Sequence, residues 1–132
     1  MDNNKYYTIF NSKIVELLND LIRIFPEDTD FKMYKNAVTL VKLADEKKLL
    51  NFYKIFITDE YKEHISNKNG NFFINHDYNE ILNSNELKKE LNDDINSKII
   101  NKLKGYWSQL SNDNREIIWD YFTLFLKISE KI

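Results

Sequence analysis

The sequence predicts an all-α fold, and three observations carry that prediction. The 132 residues include only two glycines, Gly70 and Gly105, and one proline, Pro26, too few for the many tight turns of a β-sandwich or barrel. Apolar residues recur at spacings of three and four along most of the chain, the period of amphipathic helices. Hydrophobic residues make up 42% and charged residues 30%, a globular balance far from compositions that stay disordered. A chain of this length buries roughly two-thirds of its unfolded surface in one core. The expectation is a single domain over 1–132, a compact bundle of about five or six helices joined by short loops.

The first helix is expected from Ser12 to Phe25, with Ile14, Leu17, Leu18, Leu21, Ile22 and Phe25 on one stripe. Pro26 stops it, because the residue before proline is pushed out of the helical region. EDTDF then supplies acidic capping residues, and Phe31, Tyr34, Ala37, Val38, Val41 and Leu43 continue as a second stripe. Phe25 and Phe31 should face each other across this turn. A third helix is expected to begin at Asp45, with Glu46 in its first turn, where the helix dipole favours a carboxylate. Its stripe runs through Leu49, Leu50, Phe52, Tyr53, Phe56, Ile57, Tyr61 and Ile65.

SNKNGN, residues 66–71, reads as the clearest loop, since Gly and Asn tolerate positive φ most readily. It separates an N-terminal helical half, 1–65, from a C-terminal half, 72–132. The FFI of NFFINHDYNEILNSNE suits a strand locally, but no partner strand lies nearby, so a short helix is expected around Tyr78 to Leu82. Ser84 or Asn85 caps the next helix, which carries Leu87, Leu91, Ile95, Ile99, Ile100, Leu103 and Trp107. Gly105 suits its closing turn, although Trp107 and Leu110 continue the period past that glycine. The last helix should start near Ser111 to Asp113, with Asp113 and Glu116 spaced as a capping box. Ile117, Ile118, Tyr121, Phe122, Phe125 and Ile128 then face the core.

Composition also restricts the chemistry. Without cysteine there are no disulfides, thiolate metal sites or thiol nucleophiles, which fits a reducing compartment. A formal net charge of −2 with both signs interspersed supplies no basic field for phosphate, so nucleic acid is not the expected partner. No apolar run approaches the ~20 residues of a membrane-spanning helix, and the N-terminus lacks the features of a signal peptide. The two glycines stand too far apart for GxGxxG or a Walker loop.

Glu60 and His64 lie one helical turn apart, but two ligands do not make a metal site, and neither a zinc-protease helix nor paired Glu-x-x-His motifs occur. Aligning Gly70 with the glycine of a calcium loop puts Ile65 at the first ligand position and His76 at the place of the bidentate glutamate, and both fail. No metal and no cofactor are therefore expected. His76, Asp77 and His64 are the residues on which a small enzyme would have to be centred, but no nucleophile or glycine-rich elbow accompanies them. ELKKELNDDINSK, 86–98, reads as a solvated helix face.

Aromatic residues are 14% of the chain, and most fall on helical stripes. Tyr6, Tyr7, Phe72, Phe73 and Trp107 do not, which makes them the candidate partner-binding residues: they either dock onto the core or form an exposed patch. The alternative reading is a nucleic-acid-associated regulatory factor that uses Lys98, Lys102, Lys104, Tyr106 and Trp107.

FNSKIVELLNDLIRIFPEDTDFKMYKNAV (10–38), FFINHDY (72–78) and LKGYWSQLSNDNREIIWDYFTLFLKISEKI (103–132) carry a resemblance that covers most of the chain. Their FP-x-D-x-DF-x-x-YK and W-x-x-L-S-x-x-N-R-x-x-I-W-x-YF elements resemble a family of small helical proteins encoded by nucleocytoplasmic large DNA viruses, the giant viruses. Both elements are cap-and-core patterns and bring no catalytic residues with them. Abundant Asn, Lys and Ile beside scarce Ala and Arg fit an AT-rich genome of that kind. The resemblance implies a viral protein of the infected host cytoplasm or the virion, not a secreted one. Combined with the absent active-site motifs, it leads to the expectation of a non-enzymatic interaction or structural module with a protein partner or self-association.

Overall fold

Helix α1 spans Asn4–Ile24 in the computed structural model, which describes residues 4–57, 59–75 and 102–132. It starts well before Ser12, because its apolar period continues backwards: Tyr7, Phe10, Ile14, Leu17, Leu18 and Leu21 are all buried. The helix ends just ahead of Phe25-Pro26, as proline requires. Phe25 and Phe31 stack across the turn with centroids 6.0 Å apart. There the Asp28 carboxylate accepts a hydrogen bond from the Asp30 amide at 3.0 Å, satisfying a donor that the new helix leaves without a backbone partner.

Helix α2, Asp30–Ala44, buries Phe31, Tyr34 and Val38. Asp45 does not open the third helix. Its backbone is extended, and its carboxylate accepts from the Lys47 amide at 3.0 Å, so it shapes the turn from which α3, Lys48–Phe56, departs. The single third helix expected to Ile65 is in fact two. Ile57 adopts φ −90°, ψ 100°, and α4 begins at Asp59 and runs to Ser66 with Asp59 and Glu60 in its first turn. Two carboxylates at that point favour a fresh helix N-terminus over an uninterrupted interior. The break still leaves Ile57, Tyr61 and Ile65 buried.

The loop expected over 66–71 contracts to residues 67–69. Lys68, not Gly70, takes the positive φ, at 52°. The Asn69 side chain accepts from the Phe72 amide at 3.2 Å, which starts the short helix α5, Gly70–Asn75. FFI is therefore helical. The helix expected at Tyr78 to Leu82, and the stretch from Ser84 to Ile100, lie outside the described residues.

Residues 102–106 are helical and continue through a 3-10 turn, Trp107–Gln109. Gly105 does not close that helix in a left-handed cap, because its φ is not positive. Helix α6, Asn112–Ser129, is capped by Ser111, whose hydroxyl accepts from the Asn114 amide at 3.1 Å. The capping box expected from Asp113 and Glu116 does not form at this end, and Glu116 instead pairs with Lys68 at 2.8 Å. Ser111→Ala should cost about 1 kcal/mol of unfolding free energy, whereas Asp113→Ala should cost less. Chemical denaturation of the two variants checks the assignment.

No strand occurs among the described residues, and the helices pack into an all-α bundle. α1 is its centre, in contact with α2, α3 and α6. Phe10 lies 5.4 Å from the Tyr53 ring of α3 and 5.1 Å from the Phe125 ring of α6, centroid to centroid. Tyr121 of α6 donates to Asp20 of α1 at 2.6 Å. Burial, followed by this hydrogen bond to a carboxylate, pushes the Tyr121 phenol above its ordinary range.

Candidate interaction surface

The sequence of α2, DFKMYKNAVTLVKLA, carries two apolar rows rather than one. Phe31, Tyr34, Val38 and Val41 form the core row, spaced three, four and three. Met33, Asn36, Leu40 and Leu43 repeat the same spacing two positions later, roughly 200° around the helix and so nearly opposite. The fold keeps the first row inside and leaves the second in water: Met33 is 56% exposed, Leu40 68% and Leu43 75%. Leu43 therefore departs from the core stripe expected to include it. A single exposed leucine carries no information. Three large apolar side chains in register on one outer helix face are unusual, because solvent-facing helical rows are ordinarily polar.

The charge around this row has one sign. Lys32 is exposed and Lys35 and Lys42 are half-buried, and none of the three forms an ion pair in the structure. No carboxylate lies on the helix between Asp30 and its C-terminus. Asp30 itself is engaged by Lys102 at 2.8 Å.

The aromatics singled out in the sequence do not form one patch. Tyr7 is 8% exposed and belongs to the core, which corrects its place among the partner-binding candidates: it lies on the buried stripe of α1, extended backwards. Tyr6 is half-buried against the core edge, with the Lys5 ammonium 5.0 Å from its ring centroid. Phe72 stacks on the His64 imidazole at 3.7 Å and meets Tyr61 edge-on at 5.8 Å. The Phe73 side chain lies outside the described residues.

Trp107 is half-buried in a second location. Its ring meets Trp119 edge-on at 5.3 Å, and the Arg115 guanidinium lies 5.5 Å from its centroid. Arg115 donates through Nε and Nη2 to the Trp107 carbonyl at 3.1 and 2.8 Å. With Asn67, Lys68, Asn71 and Ser108 these residues line an open cleft of about 710 Å³. Gly70 is required here, since a Cβ on it would stand 2.7 Å from the Trp107 indole nitrogen. Gly70→Ala should displace the indole, shifting tryptophan emission and lowering stability by about 1 kcal/mol. Fluorescence and denaturation measured on one sample check both effects.

The lysines proposed for nucleic acid are differently placed. Lys102 is held between Asp28 at 3.0 Å and Asp30 at 2.8 Å, and hydrogen bonds to Asp30 and then to Asp28 push its pKa up. The Tyr106 hydroxyl donates to Asp28 at 2.6 Å, and its ring stacks on Phe25 at 4.1 Å. That hydrogen bond holds the Asp28 carboxyl below its usual range, with Lys102 adding to the effect. A lysine already neutralised by two carboxylates and a tyrosine already stacked form an internal clasp, not a phosphate-binding platform. Lys104 is exposed, and Lys98 lies outside the described residues.

His64 serves the turn after α4, with its Nδ1 3.0 Å from the Asn69 amide nitrogen. His76 and Asp77 lie outside the described residues. Among the described residues no group of three or more His, Asp and Glu side chains is arranged to hold a metal, and no helix is long and apolar enough to cross a membrane. Comparison with protein-family models, curated proteins and solved structures finds no match to this chain. The geometry therefore carries the functional argument alone. The outer row of α2 was readable in its sequence as a second stripe offset by two, but assigning Leu43 to the core row hid it.

Proposed function

We propose that this chain is a non-enzymatic protein-interaction module that docks through the outer face of α2. The observation that supports this reading is the exposed, in-register row of Met33, Leu40 and Leu43 on a helix whose opposite face is already buried. A helix apolar on two opposite sides suits a position between two packed surfaces, and the fold supplies one of them. The setting in a giant-virus infection, in host cytoplasm or virion, rests on the resemblance of the FP-x-D-x-DF and W-x-x-L-S sequence elements.

Affinity purification from infected host cells at physiological salt tests the reading. The unaltered chain should recover a partner that the double variant Leu40→Ser, Leu43→Ser loses, while circular dichroism shows both folded. Recovery of no partner, or of the same partner by both chains, would overturn it.

A further inference from the structure

We infer that the partner of the α2 face is an acidic amphipathic helix of a different chain, seated lengthwise along the Met33–Leu43 row. This inference rests on the docking role proposed above and adds the chemistry of what docks. Three features of α2 carry it.

The first is spacing. Met33, Asn36, Leu40 and Leu43 repeat at three, four and three, the arrangement by which one helix offers its side chains to the gaps of another. Ten residues at 1.5 Å per residue make the row about 15 Å long, close to three helical turns. An extended peptide would need an open strand edge to pair with, and no strand exists among the described residues.

The second is charge. Lys32, Lys35 and Lys42 accompany the row with no carboxylate between them and no ion pair of their own. Glutamates or aspartates flanking the partner's apolar seam meet these ammonium groups, whereas lysines there are repelled. The same argument disfavours a second copy of this chain, since α2 against α2 sets lysines beside lysines.

The third is the composition of the row itself. Asn36 is exposed in the middle of the apolar positions, where a lone amide selects register and orientation by demanding a polar group opposite. Met33 is unbranched and adapts to more than one partner shape.

The test uses a synthetic peptide of three heptads with leucine at a and d and glutamate at e and g, and its counterpart with lysine at e and g. Binding of each labelled peptide to the full chain is read by fluorescence anisotropy, beside vesicles of phosphatidylcholine with phosphatidylserine. The acidic peptide should bind saturably and the basic one should not. Leu40→Glu with Leu43→Glu should weaken the acidic peptide on the order of 100-fold. Lys32→Glu with Lys42→Glu should transfer the preference to the basic peptide, a reversal that survives if the leucine variant fails to fold.

No binding of the acidic peptide, equal binding of both peptides, or binding unchanged by the leucine substitutions overturns the inference. So does vesicle binding without peptide binding, which assigns the face to an anionic membrane, or a dimer that the leucine substitutions dissolve, which assigns it to a second copy. A large fall in melting temperature of the free leucine variant also overturns it, because the face would then be covered by residues of the same chain. A partner recovered from cells through Leu40 and Leu43, together with failure of the acidic peptide, leaves the docking role standing and removes only the acidic helix.

Discussion

Phe10→Ala is expected to lower the free energy of unfolding by about 3–5 kcal/mol. The ring is 1% exposed and joins three helices, packing from α1 onto Tyr53 of α3 and Phe125 of α6. Alanine would leave a cavity at the one point where all three meet, so the neighbours cannot close it without giving up contacts with one another. Against a total stability of roughly 5–15 kcal/mol for an ordinary domain, that loss consumes a large share. Ile9→Ala is the matched control, since the neighbouring side chain is 41% exposed and should change stability by no more than about 0.5 kcal/mol. Denaturant midpoints with unchanged slopes for both variants would confirm the contrast, and equal midpoints would refute it.

Asp28→Asn should produce the second large effect, a loss of about 1–2 kcal/mol. The carboxylate accepts from the Tyr106 hydroxyl, the Lys102 ammonium and the Asp30 amide, and it is the point through which residues 102–106 are tied to the turn between α1 and α2. An amide at this place cannot pair with the ammonium as a charge. The loss should depend on pH with a definite sign. Because the folded state holds the Asp28 carboxyl below its usual range, the stabilisation is fully present above the unfolded value of about 3.9. It disappears as pH falls from there through the folded value. The gap between the wild-type chain and Asp28→Asn should therefore be constant near neutrality and narrow below about pH 4, as thermal melts across that range will show. A gap that widens on acidification would assign the stabilisation to another group.

The all-α class and most helix positions were legible because they depend on local period and on punctuation. The Pro26 stop and the Phe25–Phe31 contact needed no more than the spacing of residues along the chain. What escaped was decided by tertiary contact or by the choice between overlapping local signals. Tyr7 looked unassigned because the helix was begun at Ser12, although the spacing Tyr7, Phe10, Ile14, Leu17 was already present. Ile57 lies on an unbroken apolar stripe, and only the carboxylates of Asp59 and Glu60 mark the break beside it. Asp113 with Glu116 and Ser111 with Asn114 both offered a cap, and the chain uses the serine.

The candidate site was less legible than the fold, for a physical reason. Exposed aromatic residues are recognised in sequence by the absence of a stripe, yet Phe72 finds His64 and Trp107 finds Arg115 and Trp119 through contacts that no local pattern encodes. Lys102 and Tyr106 looked like a basic-aromatic surface because their carboxylate, Asp28, stands more than seventy residues away in the chain. The outer row of α2 shares its helix with the core row. Two apolar rows of equal spacing merge when only the number of apolar positions is considered, and they separate only when each is assigned a face.

The meeting of Phe10 with Phe125 also bears on the order in which the chain matures during synthesis. The two residues are among the most widely separated in sequence of any that touch in this core, so the central helix leaves the ribosome long before its partner exists. Until α6 emerges, the apolar stripe of α1 is shielded only by α2 and α3, and such intermediates are the ones that chaperones bind or that aggregate. Slowing translation between α5 and α6 would prolong that window, while speeding it would shorten the interval during which the nascent core stands open.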